Sequence, residues 1–398
     1  MEASARNREM LIDGLESGKF LPSLSPIAIR LMELASDDDS SLADIEALIE
    51  KDPSLTIRIL KLANSVFFRF GNPAKSVRQA VVRIGTRQTR LLALSLMLKD
   101  TFPMSKVGAA DYRRYWRMSL YQGIAAQSLA RQLKTRDAEE AFTAGLTLEI
   151  GLLAMLAAFA DRAGSEEFPW YPLSSRLQWE KERYGLDHRE VGELILTRWK
   201  FPASFIVCQK SSSLSRNVDE LLPLVRICAM ASQMSAFICE PEAGLSEVFD
   251  DLELRFGLTE PLIHEVVAGS LREVDEVAHM FELEVGSTRD TEALMRKARD
   301  VLSQLSGRLD EGRMCVTGNP SLGAASDAEA GGSRELRCVL ESVEREIRGP
   351  LRSVGGLAFM LAKSIDPESD QGRYVQFILA ETERLEQALD GLDRMFRF

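Results

Sequence analysis

The sequence predicts an all-α protein, and three observations support that fold class. Apolar residues recur at spacings of three and four over most of the 398 residues, which is the period of a helix with one buried face. No run alternates apolar and polar residues between hairpin turns, so no strand is predicted. Gly and Pro lie mainly between the periodic segments, where they end one helix and set up the next.

The N-terminal segments are predicted to form short helices that begin at capping residues. Ser41 precedes an acidic helix, and Asp52 followed by Pro53 is a second helix-start signal. Residues 1–13 are interpreted as an N-terminal extension and residues 14–100 as a first helical lobe. At this length the chain can hold two or three domains, each with a core of its own.

The stretch from Pro53 to Lys99 is basic, although the whole chain has a net charge of -11. One interpretation is that its cations face the acidic helix directly before it. A second is that they receive an anionic partner, such as a nucleotide or phosphate group. Nucleic acid is a third, which the acidic pI of about 5.1 disfavours. The candidate contact residues are Arg58, Lys61, Asn64, Arg69, Arg78, Arg83, Arg87 and Arg90.

Residues 101–310 are predicted to form a second helical lobe and the helices that follow it. Tyr112 to Lys134 has the spacing of a long helix, and Ala141 to Phe159 is almost entirely apolar, as expected of a buried central helix. The charged N-terminus lacks the apolar centre of a signal peptide, and no uninterrupted apolar run approaches the roughly 20 residues of a membrane span. A cytoplasmic protein is therefore expected.

The first lobe contains a series of short motifs, which are LPSLSP at 21–26, DPSL at 52–55, LANS at 62–65, and SVRQAV at 76–81, with IG at 84–85. In this order they resemble the bacterial HDOD domain. The resemblance extends more weakly to about residue 215. It implies a noncatalytic relative of the HD phosphohydrolases, of a kind found in signalling proteins.

The second lobe also resembles the HD phosphohydrolases, but without their metal ligands. That family holds a metal with a His on the long helix, a His-Asp pair on the buried helix and a later Asp. The resemblance places Met118 at the first His, and Leu148 with Glu149 at the pair. Met and Leu side chains do not bind hard metal ions. We therefore expect no metal, no cofactor and no catalytic residue.

An enzymatic alternative remains open on the sequence. The chain has three histidines, and His188 is interpreted as a hydrogen-bonding residue at a helix start. A residual metal-dependent phosphodiesterase or phosphatase would instead use Glu149, Asp161 and His188. Such an enzyme would need those groups to converge on one metal ion.

The C-terminal region is predicted to be a linker followed by a helical hairpin. Residues 311–333 are rich in Gly, Ala and Ser, as in a flexible linker, and residues 334–398 contain two apolar seams joined by a turn. Two such hairpins would bury their seams as a four-helix bundle, which predicts a homodimer. The alternative is that the hairpin docks onto the chain's own HDOD domain. The predicted interface residues are Leu336, Leu340, Val343, Ile347, Val354, Leu357, Leu361, Ile378, Leu385, Leu389, Leu392 and Phe396.

This hairpin is similar to the dimerisation and phosphoacceptor hairpin of sensor histidine kinases. The H-E-[IL]-R-x-P-L box of that family reads REIRGPL at 345–351, with Arg345 where the phosphorylated His would stand. A guanidinium group stays protonated and cannot accept a phosphoryl group. The resemblance therefore implies dimerisation, and docking of a response regulator or a kinase, without kinase activity.

These features together predict a cytoplasmic, noncatalytic bacterial signalling protein. Binding of a ligand or protein at the junction of the two HDOD lobes would change how the paired hairpins are presented. No membrane partner is expected, and nucleic acid is disfavoured.

Overall fold

The structure is a computed structural model, and the residues that it describes are helical or lie in turns and loops. The all-α prediction is confirmed, because the described residues contain no strand. The described residues are 2–21, 23–35, 41–65, 72–102, 104–135, 138–161, 167–210, 222–240, 245–283, 290–303, 348–362, 365 and 367–396. The predicted linker at 311–333 lies outside them.

The first lobe begins its helices at the predicted caps. Ser41 and Asp44 form a capping box, and the Asp52 carboxylate accepts hydrogen bonds from the backbone N–H groups of Ser54 at 2.9 Å and Leu55 at 3.1 Å. The helices are α1 (Glu2–Glu16), α2 (Pro26–Ala35), α3 (Leu42–Ile49), α4 (Pro53–Ala63), α5 (Val77–Ile84), α6 (Thr86–Thr101) and α7 (Met104–Val107).

The second lobe is built around a long helix and a buried apolar segment that packs against it. The predicted single helix from Ala141 to Phe159 is two helices, since the backbone breaks at Leu148 and Glu149. The helices are α8 (Ala109–Gln132), α9 (Ala138–Thr147), α10 (Ile150–Ala160), α11 (Leu173–Tyr184), α12 (His188–Arg198), α13 (Ala203–Lys210), α14 (Pro223–Cys239), α15 (Leu245–Phe256) and α16 (Glu260–Met280).

Helices α10 and α12 approach each other closely because a glycine stands at their contact. A Cβ atom added to Gly151 would lie 1.9 Å from the backbone oxygen of His188 and 2.4 Å from the backbone nitrogen of Gly192. No side chain fits at that distance, so only glycine allows the two backbones to meet. This contact brings the start of α10 against the start of α12.

One stretch of the described residues, Glu140–Ala160, has the length and apolar composition of a membrane span. Its apolar window is completely buried inside the protein. Core helices of folded domains share this composition.

The chain divides into two compact units. The first contains Met1–Glu242 and Gly269–Ser287, and the second contains Ala243–Ala268 and Thr288–Phe398. The second unit therefore contains α15 and the first part of α16. It also contains the three remaining helices, which are α17 (290–303), α18 (Gly349–Ala362) and α19 (Asp370–Phe396).

Within the second unit, α18 and α19 pack together as a helical hairpin, and α18 also packs against α15. His264 is 3% exposed and its Nε2 lies 3.0 Å from the backbone oxygen of Ser353. A Cβ atom at Gly356 would lie 2.1 Å from the His264 ring. The absence of a side chain at Gly356 therefore lets this imidazole lie directly on the hairpin.

Candidate functional site

Glu149 marks the centre of a buried polar cluster in the second lobe. It lies at the break between α9 and α10, with φ -107° and ψ 25°, and it is 0% exposed. Leu148 is equally buried and Met118 is 4% exposed. The positions that the resemblance assigned to metal-binding His residues are therefore apolar, and Glu149 alone is a carboxylate.

Both carboxylate oxygens of Glu149 are engaged by side chains of α8 and α12. Arg189 donates from Nη2 to Oε1 at 2.6 Å and from Nε to Oε2 at 3.1 Å. The Nε2 atom of His188 bonds to Oε2, and Gln122 donates to Oε1 at 3.2 Å. An arginine that meets both oxygens of one carboxylate forms a directional, charge-assisted pair. The carboxylate therefore faces protein donors on several sides.

His188 joins Glu149 to a second buried carboxylate. Its Nδ1 lies 2.6 Å from Oε2 of Glu180, and its backbone N–H donates to the same oxygen at 2.8 Å. Asp187 caps α12 in a reciprocal pair with Glu190, which fixes the direction in which His188 leaves the helix. The histidine is thus held at both ring nitrogens and at the backbone.

Opposite charges stabilise one another in this buried cluster. Burial alone would lower the pKa of His188, but the Glu180 and Glu149 carboxylates raise this pKa to about 9. Burial likewise opposes ionisation of Glu149, yet the charges of Arg189 and His188 hold its pKa well below the usual range. The carboxylates of Glu149 and Glu180 therefore face the imidazolium of His188 and the guanidinium of Arg189, and the charge of Arg176 also lowers the pKa of Glu149.

The residues of this cluster do not fit a catalytic metal. The two glutamates contact opposite ring nitrogens of His188 and do not converge on one point. In the part of the chain that the structure describes, no group of three or more His, Cys, Asp or Glu side chains has a metal-binding arrangement. Asp161 follows α10 and is separated from Glu149 by about 18 Å along the helix axis, at a rise of 1.5 Å per residue. The Asp161 carboxylate instead pairs with Lys19 at 2.6 Å.

A family model describes the region that contains this cluster. The HDOD domain model matches residues 21–213. Residues 21–213 form an HDOD domain. The kinase-type resemblance at residues 334–398 lies outside the matched region, and it gains no support from the comparisons.

The HDOD domain has similar proteins and solved structures. An uncharacterised protein of Treponema pallidum is 22% identical over 231 residues, which are 55% of this chain and 42% of that protein, so the chain spans less than half of this relative. A candidate metal-dependent phosphohydrolase from Shewanella amazonensis SB2B has a TM-score of 0.53 and 19% identity, covering 71% of this chain and 100% of that one. A candidate signal transduction protein from Marinobacter aquaeolei VT8 has a TM-score of 0.51 and 20% identity, covering 71% and 65%. At these identities the structural likeness establishes the fold.

Several predicted contact residues of the first HDOD lobe hold the fold together. Arg58 is 6% exposed and pairs with Asp100 at 2.8 Å. Arg83 donates to the Asn64 side chain at 3.0 Å, and Arg90 is 5% exposed and donates to a backbone oxygen. The side chains of Arg58 and Arg90 are buried and do not present a basic surface to a partner, whereas Arg83 is half-buried at the edge of a surface cavity.

Other predicted contact residues of that lobe face solvent. Arg78 is exposed and lies 3.8 Å from Glu46 of the acidic helix α3, a long pair that contributes little in water. Val82, one turn further along α5, is 68% exposed, and Lys61 is also exposed. Arg69 lies outside the described residues, as does the side chain of Arg87. A surface cavity of about 570 Å³ is lined by Asn72, Pro73, Arg78, Gln79, Val82 and Arg83.

The described part of the hairpin buries its seam within the single chain. The exposed fraction is 0% at Val354 and Leu357 and 3% or less at the other members with described side chains, which are Leu361, Ile378, Leu385 and Leu389. The side chains of Leu392 and Phe396 lie outside the described residues, as do Leu336, Leu340, Val343, Arg345 and Ile347 entirely. Dimerisation through this region stays a prediction.

Three members of the cluster, Arg189, Glu180 and Gln122, are not among the site residues that the sequence predicts. Arg189 follows His188 directly, and two adjacent cationic side chains at the start of an apolar helix are a signal that could have been noticed. Glu180 and Gln122 carry no such signal, because only the packing of α8, α11 and α12 brings Gln122 to Glu149 and Glu180 to His188.

Proposed function

We propose that this chain is a noncatalytic signalling protein, in which the HDOD domain binds a partner and the C-terminal hairpin dimerises the chain. The observation that carries the proposal is that Arg189 and His188 occupy both carboxylate oxygens of Glu149 with hydrogen bonds. The fold likeness to the candidate signal transduction protein of Marinobacter aquaeolei supports the same function class. A cytoplasmic location accords with this function.

Hydrolysis by a metal-activated water needs an open coordination position and convergent ligands. Here a guanidinium group takes the position that a cation would need beside Glu149, and burial excludes bulk water from the carboxylate. The enzymatic alternative would also need Asp161, which pairs with Lys19. Partner binding does not require a reactive group in this cluster. It requires only that the cluster hold its helices rigidly together.

A metal and turnover measurement tests the noncatalytic proposal. Purified protein is expected to contain no stoichiometric divalent metal by mass spectrometry. It is also expected to hydrolyse p-nitrophenyl phosphate and its bis-ester at the buffer rate in added Mn²⁺ or Mg²⁺. The control is Glu149→Gln. Turnover by the wild-type protein that disappears in this variant would establish the phosphoesterase alternative instead.

The outer face of α5 is the proposed partner surface of the first lobe. Arg78 supplies a positive charge that lies 3.8 Å from the Glu46 carboxylate, and Val82 supplies an exposed apolar contact beside the same cavity. A partner with an acidic and apolar contact would complement this face. A response regulator or a kinase remains the proposed partner class, and its binding would alter how the paired hairpins are presented.

Dimerisation is tested by the mass of the intact protein in solution. Light scattering is expected to give about twice the chain mass of 44.4 kDa. The double variant Leu340→Glu and Val343→Glu is expected to be monomeric, because charges in an apolar seam oppose pairing. Leu254→Glu is the matched control, since Leu254 is 88% exposed and lies outside residues 334–398. A monomeric wild-type protein would contradict the prediction and favour docking within the chain.

A further inference from the structure

A cavity of about 520 Å³ lies where the last helix of the first lobe meets the first helices of the second lobe. Its lining comes from the end of α6, from α7, from the start of α8 and from the turn after α16, and all four segments belong to the first compact unit. Cavities of this size hold small organic ligands. The cavity is separate from the outer face of α5, so a ligand that binds here is independent of the partner surface proposed for that face.

The inner wall of the cavity is aromatic and fixed by packing. Phe102 is buried and packs edge-on against Trp199, with the ring centroids 6.1 Å apart. Tyr112 is also buried and packs edge-on against Trp116, with the ring centroids 6.2 Å apart. Burial raises the pKa of Tyr112 to about 12, and its hydroxyl group donates to the backbone oxygen of Lys99 at 3.2 Å. The phenol is therefore a neutral part of the wall, held in place at both ends.

Two cations border the cavity with donors that are available to a ligand. Arg113 is exposed on α8, and no hydrogen bond or ion pair joins its guanidinium group to another residue that the structure describes. The side chain of Lys99 is 15% exposed, and its Nζ lies 3.7 Å from Oδ1 of Asp100 and 3.8 Å from Oε2 of Glu282. Both distances are too long for a hydrogen bond. Asp100 is already paired with Arg58 at 2.8 Å, so it is not a dedicated partner of the lysine.

The charges at the cavity favour a ligand with a single negative charge. Lys99 and Arg113 face the carboxylates of Asp100 and Glu282, and Arg58 is the closer partner of Asp100. These five side chains carry one positive charge in excess. A monoanion neutralises that excess, whereas the second charge of a phosphate group would be repelled by the Glu282 carboxylate. The parallel N–H groups of a guanidinium also match the two oxygens of a carboxylate.

We propose that this cavity binds a small monocarboxylate whose apolar body lies against the inner wall. Arg113 donates to the carboxylate at the rim, and Lys99 supplies a second donor from the side of the cavity. Phe102, Met104 and Leu283 contact the apolar body. Met104 is 46% exposed, so an apolar chain bound here removes part of its side chain from water, and this burial contributes to the affinity.

Equilibrium dialysis of radiolabelled hexanoate against the full-length protein tests this site. One equivalent of hexanoate is expected to bind saturably. Acetate lacks four methylene groups of hexanoate and is expected to bind more weakly by roughly tenfold or more, because those groups are buried against the wall. Hexylammonium reverses the charge and is expected not to compete. The proposal is overturned if hexanoate does not bind saturably, if acetate binds equally well, or if hexylammonium displaces hexanoate.

Three variants separate contact with the ligand from the overall charge of the protein. Arg113→Gln is expected to weaken hexanoate binding by roughly tenfold or more without changing Tm, because its side chain is exposed and bonds to no described residue. Lys106→Gln removes one positive charge on α7 outside the lining and is expected to bind like the wild type.

The third variant, Glu282→Gln, is expected to bind hexanoate more tightly by roughly threefold, because it removes a carboxylate that competes for Lys99 and repels the ligand. Wild-type affinity in the Arg113 variant, equal weakening by the Lys106 substitution, or weaker binding by the Glu282 variant would each contradict the assigned site.

Discussion

Replacing Arg189 with Met is expected to lower the free energy of unfolding by about 3–5 kcal/mol. Arg189 is 4% exposed and contacts both oxygens of Glu149, which is itself completely buried. The Met side chain fills much of the same volume but leaves Glu149 with one cationic partner instead of two. The penalty arises because a buried carboxylate that has lost its counter-ion is not rehydrated. Denaturant titration of both proteins measures the difference.

A surface pair provides the matched control for this substitution. Lys19 pairs with Asp161 at 2.6 Å, but the two side chains are 55% and 41% exposed. Lys19→Met is therefore expected to change the free energy of unfolding by less than about 1 kcal/mol. The double variant Arg189→Met with Glu149→Gln is expected to recover part of the lost free energy of unfolding. The reason is that Glu149→Gln removes the buried carboxylate charge that Arg189→Met leaves poorly compensated. Equal effects of the Arg189 and Lys19 substitutions would contradict the charge-balance account.

Stability is expected to fall by about 3 kcal/mol as the pH rises from 6.5 to beyond 9. The pKa of His188 is about 9 in the folded protein, against an ordinary value of 6.5. Because the folded pKa is the higher one, the folded state binds the proton more tightly. The stabilisation from the imidazolium is therefore complete below pH 6.5 and is lost as the pH rises through 9. Denaturant titrations over this pH range measure the slope.

The variant His188→Gln isolates this titration from those of lysines and cysteines. Its amide can still bond to Glu149 and Glu180 but carries no proton that titrates. The variant is expected to be less stable at pH 6 and to lose most of the pH dependence between 6.5 and 9. A wild-type slope in the variant would mean that other groups cause the dependence, and the ion-paired state of His188 would have to be rejected.

The sequence was sufficient for the helical class and for many helix starts. Helix periodicity and capping residues are local signals, so Ser41 and Asp52 could be identified before any tertiary contact was known. The placing of Met118 and Leu148 where the resemblance implies metal-binding His residues was equally local, since it follows from residue types at the positions of a motif. The HDOD resemblance in the first lobe rested on the same kind of short, ordered pattern, and the family match agrees with it.

The break in the central apolar segment could not be read from composition. Residues on both sides of Glu149 are apolar and helical in pattern, and one charge in such a run is compatible with a continuous helix. The bend occurs where Glu149 meets groups from other helices, Arg189 and His188 among them. Contacts between distant segments decide such a local conformation, because they can outweigh propensity.

Tertiary structure also decided which charged side chains are buried and paired and which are exposed. Sequence determined that residues 53–99 are basic, that Glu149 stands at a position where the resemblance to the HD phosphohydrolases implies a metal ligand, and that the terminal helices carry apolar seams. Only packing determined that Arg58 and Arg90 are buried while Arg78 faces solvent, and that Arg83 bonds to Asn64 at the edge of a surface cavity. The physical reason is that residue type fixes a charge locally, whereas its hydration and its counter-ions come from segments that are distant in the chain.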